Sequence, residues 1–192
     1  MQKAYDLVPE GYKFSKEINL EKNMNHFVLV NLFSLLVLLP VLPLLYFVDF
    51  KNFDISLLLI GFLAFFVIIM IHEWIHGIFF YHYSKKKVKY KFHGWAFSAS
   101  TPNTFYIKHA YFVIGLAPAV IINGILLILF FIFKDLRLML FLILALHFSG
   151  CAGDFYVTIL ISKYPKDTIV EDTGVGMLIF ENKGIEPLEN DF

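Results

Sequence analysis

The chain has a single cysteine, Cys151, in 192 residues. An internal disulfide is therefore excluded, and the fold has no need of an oxidising compartment. Charge is scarce as well. Only 17% of the residues are Asp, Glu, Lys or Arg, and the sixteen basic residues balance the sixteen acidic ones. A neutral chain offers no basic surface to nucleic acid, so that class of partner is set aside. No internal repeat and no low-complexity tract is found. Met1 to Asn25 is polar and mixed in charge. It lacks the basic start and apolar core of a signal peptide, so the first apolar segment is expected to stay as an anchor.

What fills the chain is hydrocarbon. Hydrophobic residues make up 58% of it, with 23 phenylalanines, and the mean hydropathy is +0.68. These residues come in four long runs, His26–Val48, Ile55–Tyr83, Ala110–Phe133 and Leu136–Ser162. Runs of that length have the reach of bilayer spans. Pro40 and Pro43 are expected to kink or end the first helix early. The third and fourth runs are separated only by Lys134-Asp135, which predicts a tight antiparallel pair.

Charge placement sets an orientation. With the N-terminus inside, 13 of the basic residues fall on the cytoplasmic side, and only Lys51, Lys134 and Arg137 fall outside. That bias follows the positive-inside rule. The expected fold class is an all-α polytopic membrane protein. It has four transmembrane helices, a short cytoplasmic β-hairpin-like loop and small cytoplasmic tails. Residues 1–25 form a cytoplasmic segment, 26–162 the membrane domain and 163–192 a cytoplasmic tail. The expected location is the cell membrane, multi-pass, with both termini cytoplasmic and the lipid bilayer as a partner.

The hairpin expectation comes from alternation. Val88-Lys89-Tyr90-Lys91-Phe92-His93 alternates apolar with polar residues, Gly94 breaks the run, and Trp95 to Ser100 can return. The edge of such a hairpin can hold an extended peptide by strand addition. A basic, aromatic loop lying on anionic headgroups explains the same residues equally well.

The chemistry lies in His72-Glu73-Trp74-Ile75-His76, an H-E-x-x-H motif at the end of the second run. On a helix, positions i and i+4 share a face, so two imidazoles can grip one metal ion. The Glu between them can take a proton from an activated water. Of the acidic residues, only Glu73 and Asp154 lie within the apolar runs, where an unpaired carboxylate costs a few kcal/mol. Trp74 lies 19 residues beyond Ile55 and Asp154 lies 18 beyond Leu136, about 29 and 27 Å of helix rise. The two sites therefore reach nearly equal depth near the cytoplasmic boundary, and Asp154 is the expected third ligand.

Alternatives stay open. Asp154 can be a helix cap or a hydrogen-bonded structural acid, with Glu171 or Asp172 as fallback ligands. His147 is expected to be a hydrogen-bonded core histidine, about 10 Å from Asp154 along a straight helix. Asn123 is read as an interhelical hydrogen-bonding group, Pro118 as a bend, and His82, His93 and His109 as surface histidines. Cys151 has no base partner for nucleophilic work beyond the metal histidines. Three protein ligands with one open position describe a catalytic Zn2+ site.

His72-Glu73-Trp74-Ile75-His76-Gly77 at the end of a span, a cytoplasmic loop, and an Asp beside a Gly in a later span resemble the site-2-protease-like intramembrane metalloproteases. The layout from Ile55 to Ser162 resembles more closely the zincin peptidase family of small bacterial membrane proteins. The resemblance implies zinc on His72, His76 and Asp154, with Glu73 as the general base. It also implies a metalloendopeptidase acting on a membrane-anchored or membrane-proximal protein or peptide near the cytoplasmic face. Two further functions fit the same residues, a non-catalytic metal-binding scaffold or chaperone and a metal transporter. Substrate identity and oligomeric state are not written in the sequence.

Overall fold

The computed structural model describes residues 3–50, 54–94 and 97–184. Lys51, Trp95 and Ala96, and the end of the tail beyond residue 184, lie outside the described residues.

The long apolar runs form helices. α1 (Met24–Leu38) starts where the Asn23 side chain accepts from the amides of Asn25 and His26. It gives way to a 3-10 segment, Leu39–Phe47, that carries Pro40 at its start and Pro43 inside. Proline removes an amide donor and crowds the preceding turn, so the regular helix stops there. α2 (Ile55–Ser84) is capped by Asp54 and ends at Lys85, whose φ of 58° is left-handed. α3 (Lys108–Ile132) starts directly after a short strand, and the last run splits into α4 (Arg137–Gly150) and α5 (Ala152–Ser162). Four helical stretches, Met24–Phe47, Ile55–Ser84, Lys108–Ile132 and Lys134–Ser162, are long and apolar enough to cross a membrane. Leu59, Phe62, Leu63 and Phe66 face outward on α2. Apolar residues on every side of a helix suit a lipid surround.

The remaining residues overturn the all-α expectation. β1 (Ala4–Tyr5), β2 (Tyr12–Asn19), β5 (Phe105–Ile107), β6 (Ile169–Asp172) and β7 (Gly176–Asn182) form one antiparallel sheet in the order β1-β5-β6-β7-β2. β3 (Lys89–Phe92) and β4 (Phe97–Ser100) form a separate two-stranded hairpin, with Tyr90 opposite Ala99. The two polar ends of the chain are thus strands of one sheet, and the fold is mixed. The physical reason is burial. Ile18, Val170, Met177 and Ile179 find an apolar surface on Phe80, Tyr106, Ala110, Ile114 and Ile161 at one end of the helices. A short strand with one apolar face becomes stable when neighbours pair with it and a helix layer covers it. Gly176 is required where β7 meets β2, because a side chain there would strike the Ile18 carbonyl.

A second core lies within the helix bundle. Ile75, Ala117, Ile122, Leu126, Phe130, Leu140 and Leu144 pack together there. α2 contributes to both cores, with Ile75 in this one and Phe80 in the other.

Candidate metal centre

α2 carries the motif histidines on its inward face. His76 is 8% exposed, and its Nδ1 lies 2.9 Å from the Ile114 carbonyl of α3. A carbonyl oxygen only accepts, so Nδ1 holds the proton and Nε2 is left with its lone pair. That Nε2 lies 3.0 Å from Nε2 of His72, one turn earlier.

The last span breaks beside them. Cys151 separates α4 from α5, and Asp154 falls in the first turn of α5. One Asp154 oxygen lies 3.2 Å from His72 Nε2 and the other 3.5 Å from His76 Nε2. Two imidazole nitrogens and a carboxylate therefore converge within one small volume. Donor atoms of these types suit a zinc-class cation, and two histidines plus a carboxylate leave a position free in a tetrahedral site.

Glu73 lies beside this cluster without joining the Asp154 contacts. Its carboxylate accepts a hydrogen bond from the Ala99 amide of β4. Glu73, His76 and Asp154 open together on a cavity of about 210 Å3. Its other walls come from β4, α3 and the turn between β6 and β7, including Ser98, Tyr111, Asp172 and Gly174. Tyr90 of β3 lies against Gly77, the residue after His76. Burial and the nearby Glu73 carboxylate push its phenol up from the ordinary value.

Of the fallback ligands, Asp172 reaches the cavity wall. It accepts from the Tyr111 hydroxyl at 2.9 Å and from the Gly174 amide at 2.7 Å. Burial pushes its carboxyl up to about 6, partly offset by those two donors. Glu171 is turned elsewhere and accepts from the Asn103 amide. His147 is buried, with Nε2 3.1 Å from His72 Nδ1 and Nδ1 2.8 Å from Asn123 Oδ1. The span breaks at Cys151 between His147 and Asp154, so the separation expected on a straight helix does not apply. The sequence reading missed that its ring reaches the far side of His72. His82 and His109 are exposed, whereas His93 is half-buried, lines the cavity and bonds Ser98 at 3.0 Å. Tyr111 and His93 went unrecognised because neither stands in a motif. Their positions depend on strand pairing that the sequence only hinted at.

One protein family, described as “putative zincin peptidase”, matches residues 65–169, just over half of the chain. No curated protein and no solved structure matches it. The matched stretch runs from within the first half of α2 to the first residue of β6 and takes in His72, Glu73, His76 and Asp154. A zincin family implies zinc, and the clustered histidines and carboxylates are of the types that bind it. With its motif, its converging donors and that match, the chain belongs to the zincin peptidase family.

Proposed function

We propose that this protein is a membrane-embedded zinc metalloendopeptidase that cuts a membrane-anchored or membrane-proximal polypeptide near the cytoplasmic face. The observation that carries this reading is the meeting of His72 Nε2, His76 Nε2 and the Asp154 carboxylate within 3.0–3.5 Å, with Glu73 beside them on the cavity. His72, His76 and Asp154 would hold the ion. Zinc supplies Lewis-acid activation of water and of the scissile carbonyl when bound.

Glu73 takes the proton of the attacking water and returns it to the leaving amine. The Ala99 amide keeps its carboxylate aimed into the cavity. The β3–β4 hairpin forms one wall of the site, and its edge offers backbone groups to an extended substrate. A helical substrate unwinds to reach it. The lysines of residues 85–91, like those of both tails, argue for the cytoplasmic side. Kinship with site-2 proteases fits the same layout.

Comparative proteomics of membrane-tethered fragments tests the reading, wild type against Glu73→Gln. Accumulation of uncut precursors in the variant is the expected result. Identical fragment populations with full zinc loading would point to the non-catalytic scaffold instead.

A further inference from the structure

Among the described residues, no backbone carbonyl pairs with the His72 ring as that of Ile114 pairs with His76. Its Nδ1 faces Nε2 of His147 at 3.1 Å. Behind His147 lies Asn123, whose Nδ2 donates to the Ala119 carbonyl at 2.7 Å. That bond leaves Asn123 Oδ1 as an acceptor, 2.8 Å from His147 Nδ1. An amide oxygen cannot donate, so His147 Nδ1 carries a proton. The Nε2 of a neutral His147 is then bare and accepts from His72 Nδ1–H. His72 Nε2 is bare in turn and faces His76 Nε2 and Asp154.

The direction of every bond in this relay is fixed from the α3 backbone outward. Asn123 and His147 are 8% and 3% exposed. Both sit within helices long and apolar enough to cross a membrane, where polar groups are costly unless they are paired. Their pairing is complete, and it ends on a motif histidine.

We propose that Asn123 and His147 are positioning residues that set the tautomer and ring orientation of His72 and thereby tighten metal binding. This rests on the zinc reading of the site. It assigns a function to two intramembrane polar residues that take no direct part in the hydrolysis. Hydrogen-bond partners behind a ligating histidine are typically worth 10–100-fold in metal affinity.

The test uses the full-length protein in lipid nanodiscs. Zinc affinity is read by competition with a chromogenic chelator, and the ligand field from the visible spectrum after cobalt substitution. His147→Phe removes the acceptor and is expected to bind zinc roughly 10–100-fold more weakly. His147→Gln keeps a carbonyl for His72 and an amide N–H for Asn123, and is expected to recover most of that loss. Asn123→Leu frees the His147 tautomer and is expected to weaken zinc by about tenfold. Should His147→Phe fail to insert, the contrast between His147→Gln and Asn123→Leu carries the same information.

Unchanged affinity in His147→Phe, or an equal loss in His147→Gln, would overturn the relay. So would a near-ultraviolet thiolate-to-cobalt band, which would put the metal on Cys151, whose Sγ lies 3.9 Å from His147 Nδ1 and within reach of a cation shared with His72 and His147. A wild-type protein that binds no more zinc than His72→Ala would sink the metal reading itself, a result distinct from failure of the relay alone.

Discussion

Tyr90 rests its hydroxyl on Gly77, so that any side chain at residue 77 would collide with the ring. This contact joins the β3–β4 hairpin to the helix that carries the motif. Gly77→Ala gains helix propensity, up to about 1 kcal/mol, and forces Tyr90 away. The expected result is a stable protein with a displaced hairpin and at least tenfold weaker cleavage, on the scale of misplaced catalytic geometry. In a double-mutant cycle with Tyr90→Ala, the effect of Gly77→Ala should shrink toward zero. Additive losses would show that the contact does not matter.

The two roles within the motif separate by substitution. Glu73→Gln is expected to retain stoichiometric zinc while cleavage falls by on the order of 10²–10⁴-fold. His76→Ala is expected to lose the metal. Elemental analysis of the purified variants beside a cleavage assay checks both.

Metal removal should loosen the bundle, since the proposed donors come from α2 and α5. Zinc at a hundredfold excess over its Kd stabilises a protein by about 2.7 kcal/mol. The melting temperature of the wild type should therefore rise on adding zinc and fall with chelator. Asp154→Ala should respond far less to either.

Asp172 gives a pH dependence of known sign. Its folded value, pushed up to about 6, lies above its ordinary value of 3.8. Below pH 4 both the folded and unfolded chains hold the proton. As pH rises toward about 6 the unfolded chain gives it up more readily, so the stability contributed by the protonated form is lost through that window. Relative to Asp172→Asn, the wild type should lose stability by on the order of 1–3 kcal/mol between pH 4 and pH 7. Parallel curves for the two proteins from thermal unfolding would contradict this.

The long apolar helices were legible because hydrocarbon length is a one-dimensional property. The motif was legible because i and i+4 fix a helix face without tertiary information. The hairpin showed through the clean alternation of Lys89-Tyr90-Lys91-Phe92. The larger sheet was hidden for identifiable reasons. β2 has a register irregularity between Phe14 and Lys16 that spoils the period of two, and most of its side chains face solvent. β1 and β5 have only two and three residues. The apolar stretch Val175–Phe180 falls mostly in β7, but nothing local shows that it is a strand or that its partner is β2, with Tyr12 opposite Asn182. Pairing at such range is set by shared burial against the helices. The His147 relay was hidden for the same reason, because its members come from α2, α3 and α4.

The order of the strands also bears on biogenesis. β2 precedes every helix in the chain, yet its neighbour β7 is the last described element to be made. The helices bearing His72, His76 and Asp154 are therefore complete before the turn that carries Gly174 can close over them. On the proposed reading, a nascent chain would hold its cation donors while its cavity is still unwalled, and competence to cut would wait for β7.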